Sequence, residues 1–412
     1  MKANNENMST IRAEICAEMG AKISQALQDK KLLICVGAGG VGKTSMAATM
    51  GVQAAMMGRK VLVLTIDPAK RLANSLGLQE FGNTETQIDL SAIVKKRMET
   101  FGNIEKQEQC EGQLWAMMLD GKHAFHDLID RVAKDDATKK SIYNNNIYQS
   151  IADTIVGNQE YMATEKLYDV MNSGLYDLVI LDTPPVKNAL DFLESPGRMA
   201  QFVDKRIMQW FLSENTETTL LKRLISGTSA KLFGLLGHVF GKDFLEDIAI
   251  FFQHFKGLYE GFHERHKAVE QLFRDSQTGF IIILAPTEPA TEVAHFFTEE
   301  LKKRHMQLLG IIANQCHVVD EQNEKEEEKV MQLFLDNSME LLPDTSQIFM
   351  ARIRSAHRKF RMLQEYEENL LSRLHRTQSS KQFFQKIPKI QKELHDITGL
   401  YTVGILLLGY DR

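Results

Sequence analysis

Five short runs of apolar residues occur along the chain, and each has the pattern of a strand that is buried on both faces of a sheet. The runs cover residues 32–36, 60–65, 176–182, 279–285 and 308–315. Segments with helical spacing join some of them, at residues 45–56 and 290–304. Because strands that alternate with helices pair in parallel, this pattern predicts an α/β fold with a mostly parallel sheet flanked by helices.

Two long stretches without a strand pattern interrupt the alternation, at residues 83–173 and 195–275. Their apolar residues recur at helical spacing, as Ile147, Ile151 and Ile155 do. Since the strand pattern resumes after each stretch, we interpret both as an inserted helical subdomain, and the segments 31–82, 174–194 and 276–412 as one interrupted domain. A helix within residues 1–30 and a helical hairpin at about residues 320–380 complete the predicted organisation.

One part of the second insertion is notably apolar. Residues 231–262 place Phe244, Ile248 and Phe251, among others, on one face of a helix. Such a stripe either closes the core of the helical subdomain or forms a groove for an apolar client or a membrane surface. The pattern itself leaves both interpretations open.

The composition is that of an ordinary globular protein, since 43% of the 412 residues are hydrophobic and 25% are charged. The formal net charge of -5 gives no electrostatic reason to expect a nucleic acid partner, because phosphate backbones are bound by basic surfaces. The 4 cysteines are too widely spaced for a C-x-x-C pair, which indicates a reducing, cytoplasmic compartment. We find no signal-peptide pattern and no apolar stretch long enough to span a bilayer, so any membrane contact is expected to be peripheral.

The candidate chemistry begins directly after the first apolar run, with the residues Gly37-Ala38-Gly39-Gly40-Val41-Gly42-Lys43-Thr44. They match the phosphate-loop motif G-x-x-x-x-G-K-[ST], in which glycines let backbone N–H groups point at a polyphosphate. Lys43 would reach the outer phosphates, the Thr44 hydroxyl would bind Mg²⁺, and the following helix, which includes Ser45, would add its positive N-terminal end. The pattern therefore predicts the sheet of a P-loop NTPase.

Two aspartates follow other apolar runs and are expected beside this loop, because ligands of parallel sheets bind at the carboxyl ends of the strands. Asp182 ends a strand in the Walker B pattern, where the carboxylate holds the Mg²⁺ shell. Asp67 could orient a water molecule against the terminal phosphate or bind Mg²⁺ through water. Alternatively, Asp67 caps a helix that begins at Pro68. Together with Lys43, the two aspartates are the candidate catalytic residues.

Five ordered motifs resemble the arsenical-pump-driving and tail-anchored-protein-targeting ATPase family. They read GAGGVGKT, TIDPAKRLANSLGL, LVILDTPPVKNALDFLESP, GIIANQ and IPKIQKELHD. Members of this family are similar in being dimeric, Mg²⁺-dependent ATPases of the deviant phosphate-loop class, whose helical subdomains move as ATP is bound and hydrolysed. The resemblance therefore implies ATP and Mg²⁺ as ligands, and a dimer formed either with an identical subunit or with a paralogue.

The resemblance also implies roles for single residues. Asp67 matches the aspartate of the first switch, which positions or deprotonates the attacking water, and Asp182 matches the aspartate that starts the second switch. Asn314 matches the asparagine that reads adenine, with a side-chain amide that offers both a donor and an acceptor. Pro388 would lie against the adenine ring.

Three departures from the family pattern limit what the resemblance implies. Ala38 stands where the deviant loop usually has a lysine that reaches into the partner's nucleotide site, and Lys70, Arg71 or Lys187 could supply the missing cation. The second switch reads DTPPVKN instead of DTAPTGH, and no cysteine cluster exists to bind a soft metalloid. The zinc-binding C-x-x-C of the targeting factors is absent too. Arsenite and structural zinc are therefore disfavoured.

Our first hypothesis is a Mg²⁺-dependent ATPase whose catalytic cycle moves the helical insertions in order to target or transport an unidentified protein client, which could be apolar. The alternative is a binding module in which ATP holds a dimer together as an assembly or membrane-recruitment switch. Hydrolysis would then be incidental.

Overall fold

A computed structural model describes residues 17–66, 71–76, 84–101, 112–119, 136–143, 159–184, 264–265, 267–318, 329, 332–333, 343–390 and 396–409. The strands in these ranges are β1 (Leu32–Val36), β2 (Lys60–Thr65), β3 (Thr86–Ile88), β4 (Gln113–Met118), β5 (Leu178–Asp182), β6 (Thr278–Leu284), β7 (Leu308–Cys316) and β8 (Phe383–Pro388). The helices are α1 (17–29), α2 (Lys43–Met56), α3 (Arg71–Ser75), α4 (Ser91–Phe101), α5 (Asp136–Tyr143), α6 (Gln159–Ser173), α7 (267–274), α8 (Glu288–Lys303), α9 (Pro343–His375) and α10 (Ile397–Leu407).

The described strands form one sheet in the order β3-β4-β2-β5-β1-β6-β7-β8. Every neighbouring pair is parallel except β3 and β4, which are antiparallel. All residues of the central strands β1, β5 and β6 are buried, as expected for a parallel sheet covered by helices on both faces. The predicted fold class, a mostly parallel α/β sheet flanked by helices, is confirmed.

The prediction that residues 83–173 are entirely helical is wrong. This stretch contains β3 and β4, and β4 pairs in parallel with β2 along its whole length. The β4 sequence, QLWAMM, contains alanine, leucine and methionine, which favour helices, so a short run of them does not distinguish a buried strand from a buried helix. Strand β8 was also missed. The sheet therefore extends one strand beyond β7, which the apolar runs do not indicate.

Helix α2 is buried between the sheet and α10. A Cβ atom on Gly51 would come within 2.5 Å of the Val63 side chain, so the glycine allows α2 to approach β2 closely. On its other side, the Gln53 side chain donates to the backbone oxygen of Tyr401 over 3.1 Å. Gly404 gives this glutamine its space, because a Cβ there would lie 1.9 Å from the Gln53 amide nitrogen. The helix that follows the phosphate loop is thus held from both sides.

An ion pair joins the chain segments that return from the two predicted insertions. Arg265, just before α7, contacts the Glu165 carboxylate on α6 over 2.6 Å, and the two side chains are 19% and 5% exposed. Helix α6 leads to β5 and α7 leads to β6, which are the two neighbours of β1. Residues 195–263, including the apolar segment 231–262, lie outside the described residues, and so do residues 102–111, 120–135 and 144–158 of the first insertion.

Helix α9 is a single helix of 33 residues and occupies the second arm of the predicted hairpin. The first arm lies outside the described residues apart from positions 329, 332 and 333, so the hairpin remains a prediction. Among the described helices, none is long and apolar enough to cross a membrane.

Candidate nucleotide site

The loop between β1 and α2 has a backbone that depends on its glycines. Gly40 and Gly42 have φ angles of 77° and 91°, in the left-handed region that favours glycine. At the start of the loop, a Cβ atom on Gly37 would come within 2.0 Å of the Ile283 carbonyl oxygen on β6. Gly39 and Gly40 are exposed to solvent. The base of the loop is therefore fixed against the sheet, while its tip is open to a ligand.

Lys43 lies inside this loop. Its ammonium donates to the backbone oxygens of Gly37 and Ala38 over 3.1 and 2.9 Å, and the residue is only 8% exposed. Gly42 is the N-cap of α2 and makes no side-chain capping bond, and Ser45 is half-buried in the first turn. A cation and the start of a helix thus face the same loop, which is the arrangement that binds polyphosphates.

Asp182 lies at the end of β5, directly beside the start of α2. One carboxylate oxygen, Oδ2, accepts hydrogen bonds from the Thr44 hydroxyl over 2.6 Å and from the Thr65 hydroxyl over 2.9 Å. All three residues are buried, with Asp182 at 1% exposure. Because charge-assisted hydrogen bonds in a buried site are strong, the two hydroxyls fix the direction of the carboxylate. Thr44 and Asp182, which were predicted from separate motifs, are therefore in contact.

Thr183, which follows Asp182 in the chain, is fixed to Cys35 on the neighbouring strand β1. Thr183 donates both its N–H and its hydroxyl to the Cys35 carbonyl oxygen, over 3.3 and 2.7 Å. Burial raises the pKa of the Cys35 thiol well above its usual range, and the neighbouring Asp182 raises it further. A thiol in that environment stays protonated and is a poor nucleophile, so the chemistry of this site falls to oxygen groups and to Lys43.

The pair formed by Thr44 and Asp182 fits a bound Mg²⁺ ion. A hydroxyl and a carboxylate are hard oxygen donors, and Mg²⁺ is typically bound by one or two carboxylates together with substrate phosphates and water. Both donors lie next to the phosphate loop. When bound there, Mg²⁺ would neutralise negative charge on the phosphates.

Asn314 and Gln315 approach the same loop from β7. The Asn314 side-chain nitrogen donates to the Val41 carbonyl oxygen over 2.9 Å, and that of Gln315 donates to the Gly40 carbonyl oxygen over 3.4 Å. Pro388 ends β8, which runs parallel to β7, so it lies at the same edge of the sheet. The predicted base-binding residues Asn314 and Pro388 thus belong to neighbouring strands, and Asn314 contacts the loop directly.

Two residues at this site, Thr65 and Gln315, were missed by sequence reasoning. Thr65 was included only as the last residue of a strand, although a hydroxyl at the carboxyl end of a parallel strand is a usable signal for a site residue. Gln315 was quoted within GIIANQ without a role. Its position directly after Asn314, which was predicted to bind the base, was a usable signal. The side-chain amides of both residues contact the loop.

The remaining predicted residues are not described by the structure. Asp67 and Lys70 fall between β2 and α3, and Lys187 follows β5, all outside the described residues. Arg71 begins α3, but its side chain is likewise outside what is described. Their roles remain predictions.

Comparison with known proteins agrees with this geometry. A family model described as anion-transporting ATPase matches residues 30–350. The chain is 25% identical over 290 residues to "ATPase GET3B" of Arabidopsis thaliana, covering 69% of this chain and 64% of that protein. It is 24% identical over 261 residues to "Putative arsenical pump-driving ATPase 1" of Aquifex aeolicus, covering 63% of this chain and 56% of that protein.

A third relative, "ATPase get3" of Aspergillus terreus, is 29% identical over 161 residues, covering 39% of this chain and 41% of that protein. The chain thus spans only 41% to 64% of the length of these three relatives. Each alignment identifies a likeness to part of the relative.

Proposed function

The chain belongs to the anion-transporting ATPase family, and from that premise we propose that it binds ATP with Mg²⁺ and hydrolyses it. The observation that carries this proposal is the contact between the Thr44 hydroxyl and the Asp182 carboxylate at 2.6 Å. It brings the two oxygen ligands of a phosphate-loop metal site together, next to an ammonium group held inside the loop.

Each residue has a distinct task in this proposal. Lys43 and the loop N–H groups bind the outer phosphates, and Thr44 and Asp182 hold the metal ion. Asp67 orients the attacking water, and Asn314 and Pro388 bind the adenine. Since phosphoryl transfer needs little covalent chemistry from the protein, fixed positions and charge account for most of the catalysis.

We further propose that two subunits, identical or paralogous, form a dimer in the cytoplasm, and that nucleotide turnover moves the helical insertions to act on a protein client. Support comes from the ion pair between Glu165 and Arg265, which joins the segments returning from both insertions. These segments lead into β5 and β6 on either side of β1. Because the phosphate loop follows β1, a movement of the loop can reach both segments through directly adjacent strands.

An assembly switch is the second candidate, and one observation favours it. Helix α9 carries exposed apolar side chains, with Ile348 at 58%, Phe360 at 46% and Met362 at 63% exposure. An apolar surface of this kind is typical of a contact with another macromolecule. In this alternative, ATP holds the assembly together or recruits it to a membrane surface, and hydrolysis is incidental.

The test is to measure ATP binding and phosphate release in three variants. Lys43→Ala should weaken binding of the triphosphate, whereas Asp67→Asn should leave binding intact and slow turnover, because it removes a group that acts on the water. Lys381→Ala, which removes an exposed lysine far along the chain, is the matched control and should change neither. Hydrolysis at the normal rate in both site variants would refute the assignment.

Turnover measured with and without cell lysate or lipid vesicles separates the two candidates. Stimulated steady-state hydrolysis supports client-directed work. A stable ATP-bound dimer with little hydrolysis under every condition supports the assembly switch.

A further inference from the structure

The turn that carries Asn314 and Gln315 has a backbone conformation that its surroundings must hold. Gln315 has a φ angle of 61°, and the pairing of β7 with β8 shifts register between Ala313 and Cys316. Such a bulge redirects side chains out of the normal alternation of a strand. Here the bulge allows the side-chain amides of two consecutive residues, Asn314 and Gln315, to contact the phosphate loop.

A residue other than glycine in the left-handed region is strained by about 1 kcal/mol or more, and it persists only where neighbouring contacts fix it. Two such contacts follow the bulge immediately. The Cys316 carbonyl oxygen accepts a hydrogen bond from the Lys389 N–H over 2.8 Å. The His317 N–H donates to the Glu367 carboxylate, also over 2.8 Å.

Glu367 binds His317 twice. Its Oε2 accepts from the backbone N–H, and its Oε1 lies 2.6 Å from the ring nitrogen Nδ1. The two side chains are only 6% and 17% exposed. Because a buried carboxylate is costly unless it is hydrogen-bonded, this double contact accounts for an acidic residue on the inward face of α9.

The helix that carries Glu367 also makes an exposed contact with the sheet. The next residue, Glu368, pairs with Lys386 on β8 over 2.5 Å. Two turns earlier, the Phe360 ring meets the His317 ring edge-on, with centroids 5.2 Å apart. His317 is therefore held by α9 through both its backbone and its ring.

We propose that Glu367 is a positioning residue for nucleotide binding, acting through His317 to hold the bulge that directs Asn314 and Gln315 to the nucleotide. This inference rests on the proposed function as an ATPase. It extends the nucleotide site to α9, a helix that no motif of the phosphate-binding machinery includes. The contact acts on the base-binding side of the site and should affect affinity more than the chemical step.

Glu367→Ala tests the proposal. Loss of a hydrogen bond to a charged group costs enough to weaken ATP binding about tenfold. We expect the KM for ATP to rise by that factor while kcat stays within about twofold, since the base is bound equally in the ground state and the transition state. Glu367→Gln should restore near-normal KM, because its amide oxygen can accept from the His317 backbone N–H and its amide nitrogen can donate to Nδ1 in the ring tautomer that carries its proton on Nε2.

Glu368→Ala is the matched control. It removes the neighbouring ion pair of α9 with Lys386 but leaves the contact with His317 in place, so KM should stay within about twofold of the original value. If α9 acts only as a structural support, both variants raise KM equally or lower kcat, and the positioning role is refuted. A Glu367→Gln variant as impaired as Glu367→Ala also refutes it.

Hydrogen exchange in the absence of nucleotide separates this proposal from the proposed function. Glu367→Ala should accelerate exchange of the amides of residues 314–317 and 40–42, whereas Glu368→Ala should not. Unchanged exchange at these amides overturns the positioning role whether or not the protein binds ATP. His317→Ala keeps the backbone contact and loses the ring, so it should accelerate exchange at these amides less than Glu367→Ala does. It replaces Glu367→Ala as the test variant if Glu367→Ala does not fold, and it should then still accelerate exchange relative to the original protein. Failure of the original protein to bind ATP would refute the proposed function alone.

Discussion

Replacing Thr65 with valine removes a hydrogen bond that holds the Asp182 carboxylate. The two side chains meet over 2.9 Å, and both residues are 1% exposed. Valine has nearly the same shape as threonine, so the substitution leaves no cavity and its effect comes from the hydroxyl. A hydrogen bond to a charged group contributes about 1.5–3 kcal/mol. The equilibrium constant for unfolding should therefore increase roughly 10- to 150-fold.

The assay is urea unfolding followed by circular dichroism, with Thr65→Ser as the matched control. Serine keeps the hydroxyl and loses one buried methyl group, which costs about 1 kcal/mol. We therefore expect the valine variant to be less stable than the serine variant, although valine is the more apolar side chain in a buried position.

A double-mutant cycle identifies the partner. In an Asp182→Asn background the hydrogen bond is between neutral groups and contributes about 1 kcal/mol, so Thr65→Val should cost less there than in the original protein. An equal cost in both backgrounds would mean that Thr65 does not act through Asp182. A valine variant as stable as the original protein would refute the reasoning altogether.

Three further predictions concern other parts of the site and its supports. Gly42→Ala should weaken ATP binding about tenfold or more, because residue 42 has a φ of 91° and the new methyl would lie 2.3 Å from the Asn314 amide nitrogen; isothermal titration calorimetry measures this, and normal affinity would contradict it. Asp396→Ala should destabilise α10 by about 1 kcal/mol, because Asp396 caps the helix through the Gly399 N–H. This hydrogen bond lowers the pKa of Asp396. The stabilisation of the fold by the cap is therefore present above the unfolded-state pKa and is lost as the pH falls through the folded-state pKa. An alanine variant with the same pH-dependence of unfolding as the original protein would exclude the cap. Gly404→Ala should lower the melting temperature by crowding the buried glutamine of α2, and an unchanged melting temperature would contradict the close packing.

Much of the sheet could be predicted because its inner strands are continuous apolar runs. Strands β1, β2, β5, β6 and β7 were all identified in this way, and the phosphate loop was read from glycines that its backbone needs. These features are local, since the residues that determine them are adjacent in the chain.

The missed features depend on partners that are distant in the sequence. Strand β8 includes the buried Gln385, whose side chain donates to the Leu406 carbonyl oxygen over 3.1 Å. Glu367 is an acidic residue between apolar positions of α9, and only its contacts with the distant His317 account for it. The bulge at Gln315 contains no glycine to mark it. In each case a tertiary contact satisfies a polar group or a strained backbone, and no local pattern identifies that contact.

The packing of α10 against α2 has a consequence for how the chain is made. The Gln53 side chain and the Tyr401 carbonyl oxygen that it binds are separated by 348 residues. A ribosome therefore releases the phosphate-loop helix long before the helix that covers it. During that interval the outer face of α2 lacks its final cover, and such surfaces make partly synthesised chains prone to aggregation. The helix that completes the support of the phosphate loop is thus translated well after the loop itself.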